Sequence, residues 1–292
     1  MKKLLVLLAG LAALLPLTAP GAHAAAPGRQ LWAFCGIEPG DPYVVAKTSA
    51  MQASGITATF GPCRPAPAGY SPAYPGTRYA DPATYYQLTN VNALFGLKTV
   101  VYDSRLWSAN SSTRAIAKNY WQPQLNLGRV AAFDLGDEYD PLGPQWSILV
   151  SRWNTVRALG LKPYTNVAAA PQSAGATNLT APYVAASTLA GIGSTAGDLS
   201  FDNYDYTQEA AVASAFNGAG REMCAVAAIN FPGGPAVSPS YIAAAFSALL
   251  ANGCDDWLIF TGELPQTGWT QYSLFDSVGN RTALSYAVAA AP

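Results

Sequence analysis

Acidic side chains gather where four separate apolar runs give out. The third run ends Tyr102-Asp103, with Trp107 just beyond it. The fourth reads Val130-Ala-Ala-Phe-Asp-Leu-Gly-Asp-Glu-Tyr-Asp140, the sixth Leu199-Ser-Phe-Asp-Asn-Tyr-Asp-Tyr206, and the eighth Trp257-Leu-Ile-Phe-Thr-Gly-Glu263. In a strand, successive side chains point to opposite faces. That alternation sets Phe133 and Leu135 against Ala132, Asp134, Gly136 and Glu138, with Asp134 deeper and Glu138 at the strand's end. In the sixth run it separates Leu199 and Phe201 from Ser200, Asp202 and Tyr204, with Asp205 in the loop that follows. In the eighth it groups Ile259 with Thr261 and Glu263, opposite Leu258 and Phe260, and the fifth run adds Tyr164 and Asn166 to the inward set.

Several carboxylates at one rim, among Tyr and Trp, suit cleavage of a glycosidic bond. One carboxylic acid must protonate the leaving oxygen, while a second group attacks or stabilises the oxocarbenium-like centre. Glu138 is the expected general acid, with Asp202 or Asp137 as its partner. Glu263 is a third candidate, placed across the fold at a separation that suits an inverting pair, about 6.5–9.5 Å. Asp134, Tyr204, Asp205, Glu263, Tyr102, Asp103, Asn166 and Trp107 are the expected sugar contacts. Flat rings cover the apolar side of a pyranose, and amides and carboxylates take its hydroxyls. Asp140, followed by Pro141, is expected to cap the next helix rather than join the site.

Composition removes most competing chemistries. Lys2 and Lys3 precede an apolar run from Leu4 to Leu17, followed by Ala22-His23-Ala24. A charged start, a short apolar core and an A-x-A site predict an export leader cleaved after Ala24. His23 is the only histidine of the chain. A protein cut there has none, which excludes a Ser-His-Asp triad, a Cys-His protease and a His-ligated zinc site. Removing Lys2 and Lys3 also leaves 14 basic and 17 acidic side chains, a net charge of −3. That balance, with no basic stripe, offers no footprint for nucleic acid, and no later stretch is apolar for long enough to span a bilayer.

Cys35 ends the first run and Cys63 follows the second, while Cys224 and Cys254 open the last two. Each pair lies at matching heights on neighbouring strands, so in an exported protein the expected disulfides are Cys35–Cys63 and Cys224–Cys254. Carboxylates and phenols are then left to move protons. No cofactor and no metal ion are expected, although Asp134, Asp137, Asp202 and Asp205 could in principle hold Ca²⁺.

A regular scaffold must hold these residues in place. Seven helix-like stretches run into a glycine and then directly into a short apolar run, at Gly55, Gly96, Gly128, Gly160, Gly197, Gly220 and Gly253. Glycine suits the left-handed residue that ends a helix. The glycines are 41, 32, 32, 37, 23 and 33 residues apart, about one βαβ unit each. With the first run at Leu31–Gly36 this makes eight strands alternating with helices. The expected fold is therefore a single-domain (β/α)8 barrel over residues 25–292, with a doubly wound open sheet as the competing topology. In such a barrel, active residues sit where strands end and βα-loops begin.

With that architecture the chain resembles the barrel glycoside hydrolases. Leu135-Gly-Asp-Glu138 is similar to the strand-four Gly-Asp-Glu of the hexosaminidase family. The resemblance implies Glu138 as the acid/base and Asp137 as the residue that steadies a substrate N-acetyl group. The His that commonly opens that motif is not present. The commoner barrel clan carries a second glutamate after strand seven, where this chain reads Ala-Ile-Asn230-Phe-Pro. The expected function is thus a secreted, monomeric glycosidase acting on an oligo- or polysaccharide. A barrel that binds carbohydrate without cleaving it is the alternative, favoured by the missing strand-seven acid.

Overall fold

The computed structural model describes residues 30–62, 81–136, 139–140, 143–168, 192, 198–202, 206, 221–227, 236–254, 256–260 and 274–291. At Asp202 the backbone alone is described. Eight parallel strands close into a barrel in the order of the sequence. They are β1 (Leu31–Ala33), β2 (Ala58–Thr59), β3 (Lys98–Val101), β4 (Val130–Asp134), β5 (Pro163–Ala168), β6 (Asp198–Asp202), β7 (Arg221–Ala227) and β8 (Trp257–Phe260). Trp32 pairs with Ala58 on one side and Leu258 on the other, which closes the ring. The fold is a (β/α)8 barrel, as the spacing of the glycine-terminated helices predicts.

Around it lie α1 (Val44–Ala53), α2 (Pro82–Leu94), α3 (Ser111–Asn126), α4 (Trp146–Ala158), α5 (Pro239–Ala251) and α6 (Ala283–Ala289). Several starts are written in the sequence. Asp81, followed by Pro82 at the first helical position, accepts from the backbone N–H groups of Ala83 and Thr84. Asn110 caps α3 by accepting from Ser112 and Thr113, and Ser238 precedes Pro239 in the same way at α5. These side chains satisfy N–H groups that a helix leaves unpaired at its start. Helix ends follow the expected signal too. Gly55, Gly96, Gly128, Gly160 and Gly253 all take positive φ, while Gly197 and Gly220 lie outside the described residues. Asp140 does not cap α4, contrary to expectation. Gln145 is the residue before that helix, and the carbonyl of Asp140 instead accepts from Gly143 N–H three residues on.

Alternation sorts each strand into an inner and an outer face. Trp32, Phe34, Ala58, Phe60, Val100, Ala132, Tyr164, Met223 and Leu258 pack together inside the barrel. Ring centroids there are 5.0 Å apart for Phe60 and Tyr164 and 5.5 Å for Trp32 and Tyr164, so aromatic edges and faces fill the lumen. Outside, Val101, Phe133, Leu135, Val167 and Leu199 pack with helix residues such as Trp121 and Trp153. On the opposite side Leu31, Ala33, Val226 and Ile259 meet Phe246, Leu249 and Leu284. Each such side chain adds about 1.5–3 kcal/mol on burial.

Strand eight departs from the reading of the sequence. Leu258 belongs to the interior cluster with Phe260 packed against it, and Ile259 faces the helices. The face grouped above with Glu263 is therefore the outer one along β8, and Glu263 itself lies outside the described residues. Cys224 and Cys254 form the expected disulfide. Cys35 is also disulfide-bonded, and Cys63 lies outside the described residues. No helix among the described residues is long and apolar enough to cross a membrane.

Candidate active site at the carboxyl ends of the strands

Strand β4 ends in Asp134 at the C-terminal mouth of the barrel. Ala132 is in the interior cluster, and Asp134, two residues on, lies on the same inner face and is 1% exposed. Its Oδ1 accepts from Gly136 N–H at 3.1 Å, a short loop that turns the chain as the strand ends. Gly136 has φ 135°, and a Cβ there would lie 2.7 Å from the ring of Tyr139. Only glycine tolerates that conformation readily, and the ring occupies the space a side chain would need. Asp137 and Glu138, the residues between, lie outside the described residues.

Both flanks of that dipeptide are tied down. Tyr139 forms an isolated parallel bridge with Val167 on β5, and its hydroxyl donates to the Leu135 carbonyl at 3.3 Å. Arg152, from α4, donates through Nη1 to the same carbonyl at 3.1 Å and to the Tyr139 hydroxyl. Its guanidinium lies 5.4 Å from the centre of the Trp107 ring and 6.0 Å from that of Tyr139. Trp107 in turn meets Tyr102 edge to face at 5.3 Å. Tyr102 and Trp107, both expected as sugar contacts, are thus brought together beside the end of β4, each partly exposed.

Strands β5 and β6 add buried polar groups on the inner face. Ser200 donates to Asn166 Oδ1 at 2.7 Å and shares a hydrogen bond with the Tyr164 hydroxyl. With Oδ1 held by Ser200, Nδ2 is the donor end of the Asn166 amide. Asn166 is 5% exposed and stands on the inner face above Tyr164. The Gly136 carbonyl accepts from Thr165 Oγ1 at 3.1 Å and from Asn166 N–H at 3.5 Å, which couples the β4 turn to β5. Asp202 ends β6 opposite Ala168. Tyr204, Asp205 and Glu263 lie outside the described residues.

Asp103 is not at the rim with the others. It shares the outward parity of Val101 and is 2% exposed beneath α3. Its carboxylate accepts from the backbone N–H of Arg105 at 3.1 Å, from Arg105 Nε at 2.9 Å and Nη2 at 2.6 Å, and from Trp121 Nε1 at 2.8 Å. It caps a 3₁₀ turn, Ser104–Trp107. The same hydrogen bond holds the Arg105 guanidinium above its ordinary pKa, against the opposing pull of burial. Asp103 is therefore committed to internal contacts, and a sugar-binding role for it is not met.

Sequence reasoning missed Arg152 and Tyr139. Arg152 borders the buried face of α4, made by Trp146, Leu149, Trp153 and Val156. A cation set against an apolar helical stripe was the available signal.

No protein-family model matches the chain, and no curated protein matches it in sequence. Solved structures share its fold. The catalytic domain of a beta-amylase from Paenibacillus polymyxa has a TM-score of 0.55 at 10% identity, covering 92% of this chain and 98% of that one. An endoxylanase retrieved from a sugarcane soil metagenome has a TM-score of 0.54 at 9% identity, covering 90% and 96%. A broad-specificity endoglucanase from Bacteroides salanitronis has a TM-score of 0.51 at 11% identity, covering 94% and 97%. Likeness at such identities establishes the (β/α)8 barrel and nothing finer.

Proposed function

We propose that this protein is an exported glycoside hydrolase that cleaves O-glycosidic bonds of an oligo- or polysaccharide, with Glu138 as general acid. The observation that carries the reading is the inner face of β4. Ala132 and Asp134 lie on it, so Asp134 stands at the C-terminal end of the barrel, where barrels do their chemistry, and Asp137 and Glu138 follow it closely in sequence. Three barrels of the same fold, a beta-amylase, an endoxylanase and an endoglucanase, agree with the substrate class.

Glu138 protonates the leaving oxygen, and Asp202 or Asp137 stabilises the centre left behind. Asp202 is favoured over Glu263 as the partner across the mouth, because the inner face of β8 carries Leu258 and Phe260. Asn166 donates from its amide to a sugar hydroxyl, and Tyr102 and Trp107 present rings to the substrate beside β4. Asp134 lies below them on the inner face of β4. Proton transfer needs only carboxyl groups, so neither cofactor nor metal takes part. The bonded cysteines fit the oxidising compartment that a leader over residues 1–24 implies.

A panel of aryl glycosides and polysaccharides, N-acetylated ones included, tests this. The wild type is expected to cleave at least one member, and Glu138→Gln to lose about 10²–10⁴-fold in kcat. Binding without cleavage by either protein would establish the carbohydrate-binding alternative. Protein recovered from the medium is expected to begin at Ala25.

A further inference from the structure

One side chain bonded to both flanks of the strand-four turn is a cation rather than an acid. Arg152 donates to the Leu135 carbonyl on one side of the Asp137-Glu138 dipeptide and to the Tyr139 hydroxyl on the other. It also lies across the rings of Trp107 and Tyr139. The Leu135 carbonyl already accepts from the Tyr139 hydroxyl, so Leu135, Tyr139 and Arg152 form a closed three-membered ring of hydrogen bonds. A flat guanidinium can donate along two directions in one plane while its face rests on an aromatic ring, and an ammonium cannot. Gly136 adds the geometric demand. At φ 135° glycine sits readily, and its freedom leaves the turn to be held by the flanking contacts.

We propose that Arg152 is the positioning residue of the reaction, resting on the glycosidase reading above. It clamps both flanks of the Asp137-Glu138 dipeptide, so the segment that carries the acid depends on its hold. Its contact with Trp107 links that clamp to the Tyr102–Trp107 pair, so the acid and the neighbouring sugar platform are set by one side chain. A misplacement of about 1 Å at a reacting group costs on the order of 100-fold in rate. Loosening the clamp therefore shows in kcat and much less in KM.

Arg152→Met keeps the length and apolar stem of the side chain and deletes the donors. It is expected to lower kcat 10- to 100-fold with KM within threefold, and added guanidinium at millimolar concentration is expected to restore part of the rate. Arg152→Lys, which keeps the charge, is expected to remain impaired. Tyr139→Phe removes only the hydroxyl and is expected to lose less, three- to tenfold in kcat. Hydrogen exchange supplies a readout that does not depend on activity: in Arg152→Met the amides of residues 136–140 should exchange at least tenfold faster, with those of β1, β2 and β8 unchanged. Unchanged exchange in that segment would overturn the clamp whatever the activity. An equal rise across all eight strands, or a loss carried wholly by KM, would also overturn it by making Arg152 a general stabiliser or a substrate contact. Faster local exchange in a protein that cleaves no glycoside would support the clamp and remove the glycosidase reading.

Discussion

Asp103 and Asp134 are both buried aspartates, one just past the end of β3 and the other at the end of β4, at the same end of the barrel, yet they occupy opposite sides of the wall. Asp103 faces out under α3 and is saturated by Arg105 and Trp121. Asp134 faces in at the top of β4, with Oδ1 on the Gly136 N–H. Burying a carboxylate is costly unless donors compensate. At Asp103 the donors are the packing of the protein itself, so the charge holds a loop to a helix. At Asp134 the carboxylate lies on the face that leads to the mouth, beside the segment that carries Glu138. An acid at the end of a barrel strand is thus a functional candidate only when parity sends it inward.

Substitution at the two positions should separate stability from activity. Asp103→Ala strands a buried indole N–H and a partly exposed guanidinium, and the expected cost is about 3 kcal/mol in chemical denaturation. The molecules that still fold should keep a wild-type KM. Asp134→Asn retains an oxygen for Gly136 N–H, and its stability should stay within about 1 kcal/mol of wild type. Its kcat/KM should fall about tenfold or more, roughly 1.4 kcal/mol of transition-state stabilisation. A large stability loss at Asp134 with untouched activity, or the reverse at Asp103, would break the contrast.

Gly136→Ala sharpens it from the backbone side. Positive φ and the Tyr139 ring at 2.7 Å both oppose a methyl group there, and the expected cost is about 1–3 kcal/mol, with activity falling in step because the turn carries the acid. The smallest effect belongs to surface carboxylates. Hydrogen bonds from the Thr84 and Ala83 N–H groups hold Asp81 below its ordinary pKa, outweighing burial. At Asp41 burial pushes the other way, and Lys47 together with the Tyr43 N–H still brings the net value down. Carboxyls lowered on folding stabilise above their unfolded pKa and lose that contribution as pH falls through the folded one. Tm should therefore decline below about pH 4 from these groups, and Asp81→Asn should flatten part of that decline.

Much of the barrel was legible in the chain because two local signals repeat. Gly55, Gly96, Gly128, Gly160 and Gly253 end helices with positive φ, and each precedes an apolar run that became a strand. In β4, β5 and β6 alternation was readable because Asp134, Asn166 and Ser200 contrast in polarity with Phe133, Val167 and Leu199. Strand eight offered no such contrast. Both faces of Trp257-Leu-Ile-Phe260 are buried, one in the lumen and one under α5, so nothing in the run itself marks the inner side. Asp103 was misjudged for a related reason. Its outward parity follows from Val101, but although Arg105 supplies local donors, the buried one comes from Trp121, eighteen residues away, and no local pattern announces it. Arg152 was likewise invisible as a clamp, since its partners Leu135 and Tyr139 lie on another element.

The central claim is that Glu138 donates a proton to the leaving oxygen, and the leaving group itself is the most direct probe. We would compare wild type and Glu138→Gln on matched glycosides with poor and with highly acidic leaving groups. Loss of a general acid should cost about 10²–10⁴-fold on the poor leaving group and little on one that departs unprotonated. Equal losses on both substrates, or no loss on either, would contradict Glu138 as the acid.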